Sequence, residues 1–136
     1  MGRRLGKVTP KHAEARATEL PASIATEATE FEFFAALRTG GYDHLEFTPS
    51  DGGATEHWLA CGDGSWVCHT TGADGSYSAR QGGPSRLWSR IESAYDEWHR
   101  LGKPSRERFG FRVDRDGNHT VWLDSPDSTR TWPLGG

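Results

Sequence analysis

Pro84-Ser85-Arg86-Leu87-Trp88-Ser89-Arg90-Ile91-Glu92-Ser93-Ala94-Tyr95-Asp96-Glu97-Trp98-His99-Arg100-Leu101 is the stretch from which the rest of the chain is read. Leu87, Trp88, Ile91, Ala94, Tyr95, Trp98 and Leu101 recur at three- and four-residue spacing, while Arg90, Glu92, Asp96, Glu97 and Arg100 fill the other side. That is the pattern of an amphipathic helix burying one face. Ser85 has the side chain to cap its start, Gly102 and Pro104 mark its end, and Asp96 stands one turn before Arg100, a favourable pair. The spacing predicts a helix over Ser85–Leu101.

Strand signals lie on both sides of this helix. Downstream, Phe109, Phe111 and Val113 alternate, the turn Asp114–Asn118 follows, and Val121 and Leu123 alternate again, so Arg108–Val113 and His119–Asp124 read as a hairpin. Upstream, His57–Cys61 and Ser65–His69 flank Gly62-Asp63-Gly64, a glycine-containing three-residue loop. That register sets Trp58 opposite Cys68 and Cys61 opposite Ser65, and the two cysteines point to opposite faces. Leu45–Thr48 reads as an edge strand, and Tyr77–Arg80 adds a further strand. Thr29-Glu30-Phe31-Glu32 has the form of a capping box, with Phe31, Phe34, Ala35 and Leu37 as a short apolar face and Gly40-Gly41 as its stop. The alternation of Phe31 and Phe33 also fits a strand; the capping box favours a helix. The expected fold class is α+β, with two antiparallel hairpins flanking the central helix Ser85–Leu101 and a short N-terminal helix.

The chain has 136 residues, enough for one domain and too few for two complete cores. Residues 1–21 carry Arg3, Arg4, Lys7, Lys11 and Arg16 with almost no large apolar side chain and read as a polar tail; residues 22–136 form the domain. Ser125–Gly136 is polar and reads as irregular apart from Trp132. Six Trp, six Phe and three Tyr supply most of a small core. With 16 Lys+Arg against 19 Asp+Glu, and the basic residues scattered, nucleic acid is not the expected partner. No run is long and apolar enough for a membrane span or a signal peptide, so a cytoplasmic location is expected, with Cys61 and Cys68 as thiols.

Catalytic patterns are missing. Gly62-Asp63-Gly64 is followed by a strand instead of a helix and lacks the third glycine of a dinucleotide motif, so no cofactor is expected. Cys61, Cys68, His57 and His69 have the residue types of zinc ligands, but their spacing matches no usual zinc site, and buried small side chains are the favoured reading. Arg80-Gln81-Gly82-Gly83-Pro84-Ser85-Arg86 leads into a helix N-terminus, where free amides and the helix dipole favour an anion. Arg80, Gly82, Gly83, Ser85, Arg86 and Arg90 are therefore candidates for holding an anion or an acidic peptide, against the simpler reading of a tight connection with solvated arginines. Trp88 and Trp98 belong to the helix's apolar face. Trp58, Trp66 and Trp122 lie on strands and are candidates for an exposed aromatic surface that binds peptide.

The run from Arg80 to Trp88, the helix to Trp98, Gly102-Lys103-Pro104, Glu107-Arg108-Phe109-Gly110 and Val121-Trp122-Leu123-Asp124-Ser125-Pro126 together resemble the C-terminal extension of actinobacterial protein-L-isoaspartate methyltransferase homologues, associated with lanthipeptide and graspetide maturation. Phe31–Leu37 and Gly64-Ser65-Trp66 fit the same pattern more loosely. In that family the S-adenosylmethionine pocket lies in an N-terminal domain without counterpart here, so the resemblance implies no catalytic residue. It implies a non-catalytic accessory domain that recognises a precursor peptide or packs on a methyltransferase, with Arg80 and Arg86 suited to acidic peptides. Two other functions fit the same residues: an immunity or antitoxin-like protein that binds a neighbouring toxin, and a small metal- or thiol-dependent protein using Cys61, Cys68, His57 and His69.

Overall fold

Thr29 accepts a hydrogen bond from the Glu32 amide at 3.1 Å, and Gly40 takes the left-handed conformation at φ 89°; between them runs a ten-residue helix, Glu30–Thr39. The Thr29 cap and the glycine stop therefore delimit it as read, but the return half of the expected capping box does not form, because the Thr29 amide donates to the Glu27 carbonyl and not to the Glu32 side chain. The computed structural model describes residues 14–27 and 29–134. In chain order the elements are β1 (Arg16–Thr18), α1 (Ser23–Thr26), α2 (Glu30–Thr39), β2 (Asp43–Phe47), β3 (Glu56–Ala60), β4 (Trp66–Thr71), β5 (Tyr77–Gly82), α3 (Leu87–Arg100), β6 (Phe109–Val113), β7 (His119–Leu123) and β8 (Thr131–Leu134). They form two antiparallel sheets, one of five strands in the order β1-β5-β4-β3-β2 and one of three in the order β6-β7-β8. The fold is α+β, as expected. No helix among the described residues is long and apolar enough to cross a membrane.

Strand alternation sets up the packing. One face of the larger sheet carries Leu59, Val67 and Ala79, all buried, and α3 lays Leu87, Trp88, Ile91 and Ala94 into the same core. Helix α2 packs on α3 through Phe31, whose ring meets Tyr95 edge-on at 5.1 Å. It reaches the smaller sheet through Phe34 against Trp132 at 5.4 Å and Phe33 against Phe109 at 5.1 Å. The helix pair thus joins the two sheets through one continuous apolar cluster.

The first hairpin takes the expected register, Trp58 opposite Cys68, and the second forms as a hairpin with Phe111 opposite Val121. Three expectations are corrected. Arg16–Thr18 is not part of a tail: it pairs with Tyr77–Ala79, and Trp88 Nε1 donates to Thr18 Oγ1 at 3.0 Å, so long-range bonds hold a segment too polar to hold itself. Residues 1–13 of the expected tail lie outside the described residues. Thr131–Leu134 is a strand on the free side of β7, where Pro133 is tolerated because an edge position needs only half its ladder bonds. Ser85 does not cap α3; the helix starts at Leu87 after Arg86, which is left-handed at φ 50°.

His69 is a buried consequence of this packing. It is 1% exposed, lies 5.0 Å from the Trp88 ring, and its Nε2–H donates to the Leu20 carbonyl at 2.8 Å, which leaves Nδ1 buried without a partner. Burial pushes its pKa below the ordinary 6.5; the Leu20 carbonyl opposes this and His57 adds to it. The unfolded chain then binds a proton that the folded one refuses, so stability rises with pH below 6.5 and falls on acidification through that value. Urea midpoints of the wild type should drop between pH 7.5 and 5.5 by more than those of His69→Gln, which keeps a donor for Leu20 without a titrating ring. Equal drops would show that His69 does not carry the effect.

Candidate functional site

Helix α3 covers one face of the larger sheet; the opposite face carries no helix among the described residues. A row of registered partners crosses it: Leu45 on β2, Trp58 on β3, Cys68 on β4 and Arg80 on β5. Trp58 and Trp66 lie with ring centroids 5.9 Å apart, and Trp58 Nε1 donates to Glu56 at 3.0 Å. Cys68 is wholly buried in this row, with Arg80 Nη2 3.6 Å from its sulfur. Toward the edge the surface opens. Leu45 is 67% exposed and Phe47 53%, and every residue of β2 is exposed.

Among the described residues, strand β2 bonds only to β3, so its outer side offers a row of backbone groups to another strand. Asp43, Glu46 and, in the following turn, Asp51 give this edge negative charge with no Lys or Arg over Asp43–Asp51. The expected aromatic candidates Trp58 and Trp66 are on this face, half-buried. Trp122 is not with them: it lies on the smaller sheet, over Gly110, where a Cβ would come within 1.9 Å of the indole. Its flat ring occupies the space that the missing side chain leaves. The exposure of Leu45 and Phe47 is not legible in the sequence, because a short run beside a turn cluster carries no sign of which side is covered.

The expected anion site resolves into structure. Gln81 Oε1 accepts from the amides of Trp88 at 2.8 Å and Ser89 at 3.2 Å, so two of the α3 amides that would meet an anion already have a partner. Gly82 lies against the Trp66 ring, Gly83 against the backbone of Ser65, and Ser85 bonds Ser65 Oγ through both its amide and its hydroxyl. These residues staple the start of α3 to the β3–β4 turn. Arg86 and Arg90 border a groove of about 360 Å³ with Arg38, where Arg90 donates to the Arg38 carbonyl and Arg38 pairs with Glu97. Arg80 is on the far face, so the six candidates do not form one site.

Cys61, Cys68, His57 and His69 do not converge either. Cys61 packs against the core, Cys68 faces the opposite side of the sheet from His69, and both cysteines are free thiols. Burial and the nearby Asp63 carboxylate raise the Cys61 pKa, which keeps it a protonated thiol and a poor nucleophile. His57 instead joins two residues that the sequence reading did not consider, His44 and Glu46.

No protein-family model, no curated protein and no solved structure matches the chain.

Proposed function

We propose that this chain is a non-catalytic binding domain that takes up an extended peptide as an added strand along β2. The observation that carries this reading is an edge strand exposed at all five positions and presenting Leu45 and Phe47 outward. Natural sheets usually blunt such an edge with Lys, Pro or a bulge, and Asp43–Phe47 has neither residue. Added strands gain affinity from backbone bonds and specificity from alternate side chains. Here the alternate contacts are Leu45 and Phe47, backed by Trp58. The acidic edge favours an occupant that alternates apolar residues with Lys or Arg, the reverse of the acidic peptide suggested by Arg80 and Arg86. The resemblance to the methyltransferase extension supports a precursor peptide as the natural occupant.

The test is titration of the chain with a synthetic peptide of about six residues alternating Val and Lys, the usual strand length. Binding should be followed by tryptophan fluorescence, with hydrogen exchange of the β2 amides as the positional readout. Leu45→Lys removes apolar contact worth about 1.5–3 kcal/mol and should weaken binding by about tenfold or more. Affinity unchanged in Leu45→Lys and Phe47→Lys, or β2 amides that stay unprotected in the complex, would remove the proposal. A dimer in sedimentation that both substitutions dissolve would reassign the edge to a second copy of the chain.

A further inference from the structure

The covered face of the larger sheet carries a second row at its rim. Glu46, His57, His69 and Ala79 are successive registered partners on β2, β3, β4 and β5. Helix α3 buries His69 and Ala79, but at β2 the row reaches solvent. His44 lies two residues before Glu46, on the same side of β2, and diagonal to His57. Its Nε2 is 3.1 Å from His57 Nδ1, and the two rings meet edge to edge, with centroids 5.3 Å and planes 15° apart. One donor atom from each of His44, Glu46 and His57 lies within 4.8 Å of the others.

We infer that His44, Glu46 and His57 form a binding site for a divalent transition metal of the zinc type. Two nitrogens bound about 2.0–2.1 Å from a tetrahedral zinc stand about 3.3–3.4 Å apart, close to the separation these imidazoles already have. Glu46 needs only a side-chain rotation to bring its oxygen in, and its exposure leaves room for one. Two imidazoles and a carboxylate suit zinc, cobalt or nickel better than calcium or magnesium, which take oxygen ligands. Two neutral rings in this contact share one hydrogen. For both nitrogens to hold a metal, that hydrogen moves to the other nitrogen of its own ring, so binding needs no oxidant and no co-reactant. Three protein ligands leave a coordination position for water or for a group on a partner. The ion would also tie the edge strand β2 to β3 by side chains.

The site is on the opposite side of β2 from Leu45 and Phe47, and its test uses zinc alone, so it succeeds or fails independently of the peptide-binding reading. The full chain should bind one equivalent of Zn2+ in calorimetry, and Co2+ should give visible absorption bands of low-symmetry coordination. Zinc should raise the thermal midpoint of the wild type. His44→Ala and His57→Ala should each weaken zinc by more than about tenfold, the lower bound for losing even an outer partner of a metal ligand. Glu46→Gln should weaken it less. His99→Ala and His119→Ala should bind as the wild type does. The three ligand side chains sit at a solvent-facing rim, His44 and Glu46 exposed and His57 half-buried, and circular dichroism checks that each variant folds. No zinc uptake by the wild type, or uptake that persists in the His44→Ala/His57→Ala double variant, would overturn the assignment.

Discussion

Trp88→Ala is expected to destabilise the chain by about 3–5 kcal/mol, the usual cost of deleting a fully buried large aromatic side chain. A domain of this size has roughly 5–15 kcal/mol in all, so the variant should be partly unfolded at moderate temperature. Trp88 has no exposed surface, and it holds three parts of the fold together. Its ring packs on His69 of β4, its helix carries the core face of α3, and its Nε1–H donates to Thr18 on β1. Thr18 Oγ1 in turn donates to Glu92 Oε2 at 2.7 Å, and Glu92 pairs with Arg16 at 2.7 Å. Trp88→Phe fills most of the space but leaves Thr18 Oγ1 with only the longer bond from the Leu20 amide, at 3.4 Å. It should cost about 0.5–1.5 kcal/mol beyond the lost ring area, with increased hydrogen exchange confined first to β1. The measurement is chemical denaturation followed by circular dichroism. A loss below about 1 kcal/mol for Trp88→Ala would contradict the burial argument.

Gly83→Ala should be a strongly damaging single-methyl change. Gly83 has φ 92°, and an added Cβ would lie 2.5 Å from Ser65 Cα and 2.9 Å from the Gly64 carbonyl oxygen, both backbone atoms that cannot swing aside. Gly40 is the matched control, with φ 89° and no atom within 4 Å of an added Cβ. Gly40→Ala should therefore cost only the left-handed backbone term of about 1–2 kcal/mol. Gly83→Ala adds overpacking of about 1–3 kcal/mol, because the β3–β4 turn must move and Ser85 loses its fit on Ser65. Paired thermal denaturation of the two variants gives the difference directly. Equal losses would show that the close approach of Gly83 to Ser65 has no energetic weight.

Helices α2 and α3 and both hairpins were legible because each announces itself locally; the four-residue α1 was not. Seven apolar residues at helical spacing specify the buried side of α3, Thr29 and Gly40 bracket α2, and alternation marks the strands around Gly62–Gly64, with their register, and around Asp114–Asn118. Strands β1 and β8 were not legible. Arg16-Ala17-Thr18 is three residues long without an apolar pattern, and Thr131–Leu134 contains Pro133; both exist because a finished sheet offered an edge. The site residues divide the same way. Trp58 and Trp66 could be named from strand position, whereas His44, Glu46 and His57 meet only after β2 and β3 have paired across the turn at Pro49–Gly53. Arg80 to Arg90 looked like one anion site in the chain, but strand alternation and the Gln81 side chain divide it.

Local order alone settled which segments bury an apolar side, since backbone periodicity of 3.6 or 2 acts over a few neighbouring residues. Three-dimensional assembly alone settled which sheet face and which edge remained uncovered. That depends on where α3 comes to rest, because a helix about as wide as two or three strands covers the middle of a five-stranded sheet and leaves β2 outside. The His44–Glu46–His57 rim follows from that mismatch in width, and the exposure of Leu45 and Phe47 from an opposite face that no helix among the described residues covers; no stretch of the chain encodes either by its own pattern.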